Sequence, residues 1–214
     1  MMNNPKIFGF IPARMSASRF PGKPLYPICN MPMIQHVIHR SQMFNKWDGL
    51  YLTTCDQEIR EFGESIGIPV IMTSDTHTRA LDRVAEAATK CGQNIGDNDI
   101  VLNVQGDEPM VSPDDIKTVI DASQNEPEIT FNAMCKINEE DDFRNPNIPK
   151  VVTQKDGCLL YMSRAPMPTN KKLEFEKAMK QVCIYAYPRD VLIAFGSLKE
   201  KTPLESIEDL EILR

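Results

Sequence analysis

Three cations, two hydroxyls and a glycine fall within one short stretch, Ile11-Pro12-Ala13-Arg14-Met15-Ser16-Ala17-Ser18-Arg19-Phe20-Pro21-Gly22-Lys23-Pro24-Leu25. Arg14, Arg19 and Lys23 supply fixed positive charge, and Ser16 and Ser18 supply donors. Gly22 lets the backbone bend or come close to a ligand. A strand-to-helix loop of this kind gathers polyphosphate through backbone N–H groups and cations. It implies a nucleoside triphosphate as ligand. The stretch matches neither the GxGxxG dinucleotide pattern nor the GxxxxGK[ST] Walker loop. A surface loop that merely collects Arg, Ser and Pro is the alternative reading.

A second group of chemistry-bearing residues is Asn103-Val104-Gln105-Gly106-Asp107-Glu108-Pro109. It follows a predicted buried strand, Asp99 to Val104, and open α/β sheets bind ligands at the carboxyl ends of such strands. Asp107, placed after a glycine, suits a carboxylate holding Mg²⁺ against triphosphate oxygens. The alternative is a plain turn, because G-D-x-P is good turn chemistry.

The elements that must carry these loops follow from hydrophobic patterning. Ile7-Phe8-Gly9-Phe10-Ile11 reads as a buried first strand, and Met33 to Met43 as an amphipathic helix. Strands are predicted at Gly49 to Thr53, Pro69 to Met72, Thr130 to Lys136, Lys150 to Thr153, Leu159 to Met162 and Cys183 to Tyr187. Helices are predicted at Ile59 to Ile66 and Ala80 to Lys90, and a further one opens with Ser112 as N-cap and Pro113 at the first helical position. The alternation predicts an α/β fold with a mainly parallel sheet. The polar stretches Glu139 to Pro149 and Pro166 to Glu176 read as long loops or an excursion from the sheet, a lid or oligomer arm over residues 139–176. Leu204 to Arg214 reads as an amphipathic helix without a stop signal, so either the protein ends on a helix or the chain is a truncated form.

Composition narrows the function classes. The 214 residues fit a single domain, 1–214, with 42% hydrophobic and 25% charged residues, as in a soluble globular protein. A net charge of −6 argues against a general nucleic-acid binder. It leaves a nucleotide open, since local cations can dominate a cleft. No apolar run reaches the roughly 18–20 residues of a membrane span. The six cysteines form no C-x-x-C pair and lack a secretory leader before them, which predicts reduced thiols in the cytoplasm.

The string P-A-R-x-x-S-x-R-x-P-G-K-P-L, together with N-V-Q-G-D-E-P, resembles the 3-deoxy-manno-octulosonate cytidylyltransferases, the CMP-Kdo synthetases. Further segments extend the resemblance over nearly the whole chain: Lys150-Val151-Val152, Leu160 to Pro168, Ile184-Tyr185-Ala186-Tyr187, and Pro203-Leu204-Glu205 through Glu211. The resemblance implies a Rossmann-like three-layer nucleotidyltransferase fold with an irregular dimerisation or lid excursion. It implies transfer of a cytidylyl group from CTP to a 3-deoxy-ulosonic acid, with Mg²⁺ as cofactor, in a cytoplasmic homodimer serving cell-surface polysaccharide synthesis. Pro12, Ala13, Arg14, Ser16, Arg19, Lys23, Arg83 and Gln105 would bind the nucleotide, with Arg14, Lys23 and Asp107 catalytic and Asp107 holding the metal. Gln105, Arg164, Tyr185 and Glu211 would bind the sugar acid, Arg164 through its carboxylate. Taken singly, Tyr185 reads as a core aromatic and Glu211 as a solvated helix face.

The chain departs from the family pattern at three places. His77-Thr78-Arg79-Ala80-Leu81-Asp82-Arg83 stands where the family has H-x-S-G-T-[DE]-R around the base. The added Cβ of Ala80 leaves another base as an alternative. Gln181 and Ile212 replace a His and a Gln of the sugar pocket, which leaves another ulosonic acid, such as an amino-sugar analogue, as an alternative. The family pattern also runs on past Arg214 by about one strand and one helix, with a G-V-D-T-P-E-D motif whose Asp is a second metal carboxylate. A nucleotide-binding domain without turnover is the remaining alternative.

Overall fold

A computed structural model describes residues 5–16, 20–77, 79–198 and 200–213. Its first strand, β1 (Ile7–Pro12), is buried at every position, as a continuous apolar run must be when both sheet faces are covered. Gly22, in the left-handed region at φ 76°, leads into a 3₁₀ turn at Lys23–Leu25. A small antiparallel hairpin follows, β2 (Pro27–Ile28) and β3 (Met31–Pro32). Its two turn residues, Cys29 and Asn30, both have positive φ without a glycine, so no turn signature marked it in the sequence.

The chain then alternates helix and strand. The elements are α1 (Met33–Gln42), β4 (Gly49–Thr54), α2 (Gln57–Ser65), β5 (Val70–Met72), α3 (Ala80–Lys90), β6 (Ile100–Val104) and α4 (Pro113–Asn125). The predicted N-cap of α4 is present: Ser112 Oγ accepts the Asp114 N–H at 3.2 Å. After these come β7 (Phe131–Ile137), α5 (Glu140–Arg144), β8 (Lys150–Thr153), β9 (Leu159–Ser163), β10 (Ala178–Tyr187), α6 (Arg189–Ser197), α7 (Pro203–Glu208) and a 3₁₀ turn, Glu211–Leu213. The fold is α/β, with a mixed, mostly parallel sheet flanked by helices. Among the described residues no helix is long and apolar enough to cross a membrane.

Packing divides the chain into two units. In the first, Met1–Phe131 with Cys183–Leu198, the parallel strands lie in the order β5-β4-β1-β6. In order along the chain these are the third, second, first and fourth parallel strands, so the order reverses between β1 and β6. That switch point is where an open α/β sheet leaves a crevice at its carboxyl edge. The last residues of β10, Ile184–Tyr187, pair antiparallel with β6. Helix α6 packs on α3 closely enough that a Cβ on Gly196 would lie 2.6 Å from the Ala85 methyl. The sequence reading missed α6, whose short apolar run Val191 to Phe195 has no period that tells helix from strand.

The second unit comprises Asn132–Val182 and Lys199–Arg214. Here β8 pairs antiparallel with β9 and with Met179 and Lys180 of β10. The expected loop at Glu139 to Pro149 contains the short helix α5, seated by buried Phe143 stacked on Phe175 at 4.8 Å. The expected helix over Leu204 to Arg214 also differs. It ends at Glu208, and Asp209 turns left-handed at φ 51°. Arg164 is the cause: its Nε donates to the Glu208 carbonyl at 2.7 Å and its Nη2 to that of Asp209 at 3.2 Å. Carbonyls claimed by a side chain do not need another helical turn. Lys150 is fully buried and donates to the carbonyls of Asn145 at 2.8 Å, Ile148 at 2.8 Å and Arg164 at 2.9 Å.

At the switch point of the first unit the loops after β1 and β6 touch. A Cβ added to Gly106 would stand 2.3 Å from the Pro12 carbonyl oxygen and 3.1 Å from Ile34. Backbone on backbone cannot give way as a flexible side chain can. Gly106→Ala is expected to lower the unfolding free energy by about 1–3 kcal/mol through overpacking. A lower urea midpoint at unchanged slope would report it; an unchanged midpoint would mean that the loops separate without cost.

Candidate active site

The loop after β1 is held from its first residues. Pro12 ends the strand, and the buried Ala13 donates its N–H to the Thr53 carbonyl at 2.9 Å. Met15 N–H donates to Asp56 Oδ2 at 2.8 Å, and Gly22 N–H returns to the Met15 carbonyl at 2.9 Å. Arg14 is half-buried and Ser16 exposed. No hydrogen bond or ion pair ties the Arg14 guanidinium to another described residue. Arg19 lies outside the described residues.

The loop after β6 faces it. Lys23 Nζ and Asp107 Oδ2 form an ion pair at 2.8 Å, with 34% and 52% of their side chains exposed. Two groups 84 residues apart, read separately as a phosphate cation and a metal carboxylate, thus meet. Gln105 is half-buried; its backbone N–H donates to the Cys183 carbonyl at 3.2 Å, and its carbonyl accepts the Glu108 N–H at 3.2 Å. Among the described residues no group of three His, Cys, Asp or Glu side chains could hold a metal ion. Asp107 offers a carboxylate that could hold a metal ion together with phosphate and water, the usual way Mg²⁺ accompanies a nucleotide.

The segment expected around the base is internally bonded. Arg83 is buried and donates to Thr73 Oγ1, to the Ser74 carbonyl at 3.3 Å and to Cys55 Sγ at 3.4 Å. Arg79 is buried 3.4 Å from Asp82. Burial raises the Asp82 carboxyl above the ordinary range against the opposing charges of Arg79 and His77. Glu86 accepts from the Ser74 N–H at 2.9 Å and pairs with His77 and Lys90. Burial works against its ionisation. The hydrogen bonds from Lys90, Ser74 and His77 outweigh burial and bring its carboxyl down to about 2.

The residues expected at the sugar acid are distributed over both units. Tyr185 belongs to the first. It lies opposite Asn103 in the β6–β10 pairing and stacks on Tyr187 with ring centroids 5.8 Å apart. Arg164 and Glu211 belong to the second, Glu211 opening the terminal 3₁₀ turn. Besides the bonds given above, Arg164 Nη1 donates to the Pro146 carbonyl at 3.1 Å. Its own N–H donates to Glu208 Oε2 at 2.9 Å. Glu208 also accepts from Tyr161 at 3.0 Å and Ser163 at 2.7 Å. Burial pushes the Glu208 carboxyl up, but the bonds from Ser163, Arg164 and Tyr161 hold it net below the usual range. Asp56 was missed in the sequence, where an Asp just before a helix reads as its cap.

A cation loop and an acidic turn thus meet at the switch point of the sheet. A cytidylyltransferase family model matches residues 8–214. A 3-deoxy-manno-octulosonate cytidylyltransferase of Thermodesulfovibrio yellowstonii is 41% identical over 214 residues, 95% of this chain and 83% of that protein. This chain belongs to the 3-deoxy-manno-octulosonate cytidylyltransferase family. An 8-amino-3,8-dideoxy-manno-octulosonate cytidylyltransferase of Shewanella amazonensis is 36% identical over 205 residues, 95% of this chain and 81% of the relative. A solved CMP:2-keto-3-deoxy-manno-octonic acid synthetase complexed with CTP superposes with a TM-score of 0.85. It is 35% identical, and the match covers 97% of this chain and 84% of that one.

One consequence of the Glu86 cluster in this cytidylyltransferase is a pH dependence. A carboxyl lowered by folding contributes stability in full above its ordinary value of 4.5, lost as pH falls from there toward about 2. Glu86→Gln removes that contribution, so below pH 4.5 the variant's thermal midpoint is expected to fall less steeply than the parent's. Parallel curves would assign the acid sensitivity to other groups.

Proposed function

We propose that this protein transfers the cytidylyl group of CTP to a 3-deoxy-ulosonic acid, giving the CMP-sugar acid and pyrophosphate. The observation that carries the reading is the 2.8 Å contact of Lys23 with Asp107 where the two loops meet. It is supported by relatives named for Kdo and for its 8-amino analogue. The anomeric hydroxyl of the acid attacks the α-phosphate, and pyrophosphate leaves. The protein's share is alignment and charge. Arg14 meets triphosphate oxygens with a guanidinium that no described residue occupies, and Lys23 takes charge on the departing pyrophosphate.

An exposed ion pair is worth only about 0–1 kcal/mol, so a phosphate can draw Lys23 away from Asp107 at little cost. Asp107 is then free to hold Mg²⁺. When bound, that ion neutralises phosphate charge and acidifies a coordinated hydroxyl. Gln105 and Tyr185 orient the acid in this reading. Arg164 commits three of its five N–H donors to backbone carbonyls and stands 4.0 Å from Asp209 Oδ2, so it is held within its own unit. The same reading, through the family resemblance, takes the protein to assemble as a homodimer.

The test is pyrophosphate release with CTP, Mg²⁺ and either Kdo or its 8-amino analogue, the other three nucleoside triphosphates serving as controls. Turnover with CTP and one of the two acids is expected. Arg14→Ala and Asp107→Asn are each expected to lower kcat/KM on the order of 100-fold, as loss of a preorganised charge contact does. Near-full turnover by either variant would remove that residue from the machinery, and turnover with another nucleotide would reassign the base.

A further inference from the structure

The carboxylate of Asp56 stands where a helix cap works, yet it does not cap. Its backbone is extended, φ −99° and ψ 128°, at the start of α2, and its side chain accepts no N–H from that helix. An N-terminal helix site favours such an acceptor and such a charge. Instead Asp56 Oδ2 accepts the N–H of Met15 at 2.8 Å, and the Cys55 thiol donates to the same oxygen at 3.6 Å. Asp56 N–H donates to Thr54 Oγ1 at 3.0 Å, which orients the residue from its own strand end.

Arg14 lies between two anchors. Ala13 N–H is fixed to the Thr53 carbonyl, and Met15 N–H to Asp56, both at or just beyond the carboxyl end of β4. The Met15 carbonyl takes the Gly22 N–H at 2.9 Å, so the same residue also closes the loop just before Lys23. A negative charge beside an anion-binding loop works against a triphosphate. The contribution of Asp56 must then be the directed hydrogen bond rather than its charge.

We propose that Asp56 is a positioning residue: its acceptor oxygen sets the Met15 peptide and so aims Arg14 at the nucleotide. The inference rests on Arg14 as a phosphate ligand. Asparagine, which keeps an acceptor oxygen and loses the charge, should serve nearly as well as aspartate.

CTP binding by the full chain is measured by titration calorimetry for the parent, Asp56→Ala, Asp56→Asn, Arg14→Ala and the Asp56→Ala/Arg14→Ala double variant. Steady-state KM values for CTP and for the sugar acid accompany it. Asp56→Ala is expected to weaken CTP binding about tenfold, the scale of one well-made hydrogen bond. It should raise KM for CTP and leave KM for the acid unchanged. Asp56→Asn should stay within about threefold of the parent. With Arg14 already removed, Asp56→Ala should add nothing, since the two residues act as one unit. A purely structural role would shift thermal midpoints instead, and its effects would add. Full additivity, or Asp56→Ala binding CTP like the parent while Arg14→Ala binds it poorly, overturns the proposal alone. Normal binding by Arg14→Ala overturns the reading of the loop, and the proposal with it. Should Asp56→Ala not fold, amide exchange in the parent decides: Met15 N–H protected relative to Ser16 N–H upholds the anchor, and its absence overturns it.

Discussion

The approach of Gly106 to the Pro12 carbonyl is the constraint on which the site depends. At 2.3 Å from that oxygen there is no room for any Cβ. The contact holds the ends of two adjacent parallel strands, β1 and β6, in fixed register beyond the sheet itself. The cation loop and the acidic turn of the first unit hang from these two ends. The loop after β1 carries Arg14 and Lys23; the turn after β6 carries Gln105 and Asp107. Sheet pairing fixes strands to within a hydrogen bond, and the glycine contact extends that precision into loops that a sheet alone would not order. Thr53 and Asp56 hold the loop after β1 from the other neighbouring strand by hydrogen bonds to the Ala13 and Met15 N–H groups.

The second unit is organised differently, by buried polar groups rather than by a parallel core. Lys150 gathers three carbonyls from two segments, and the Glu208 carboxylate gathers two hydroxyls and a backbone N–H. Burial and the neighbouring Arg164 charge lower the Lys150 ammonium, while Glu208 opposes the shift. Such a network is worth most when complete, because any partner removed strands a buried polar group. It also sets chain geometry: the carbonyls claimed by Arg164 end α7 and turn the chain left-handed at Asp209.

Much of the first unit was legible because its signals are local. The apolar runs of β1 and β6, the Ser112-Pro113 start of α4 and the amphipathic face of α3 each contain their own evidence within a few residues. What escaped depends on partners far along the chain. The Cys29-Asn30 turn has positive φ without the glycine that announces it. The stop of α7 is imposed by Arg164, more than forty residues away. Arg83 reads as a pocket residue by resemblance, and only the structure shows it buried among Thr73, Ser74 and Cys55. The Lys23–Asp107 contact joins two residues 84 positions apart whose adjacency no local pattern records.

That contact gives the crevice a selectivity that neither residue has alone. A lone cation approaching the carboxylate competes with an ammonium already seated there, and a lone anion approaching the ammonium competes with the carboxylate. Each single ion gains only the difference between two similar attractions. A species bearing both signs of charge at matching spacing replaces the internal pair with two new ones in a single event. A metal–polyphosphate complex, the ligand proposed above, is such a species, and salt screening of the exposed pair eases the exchange.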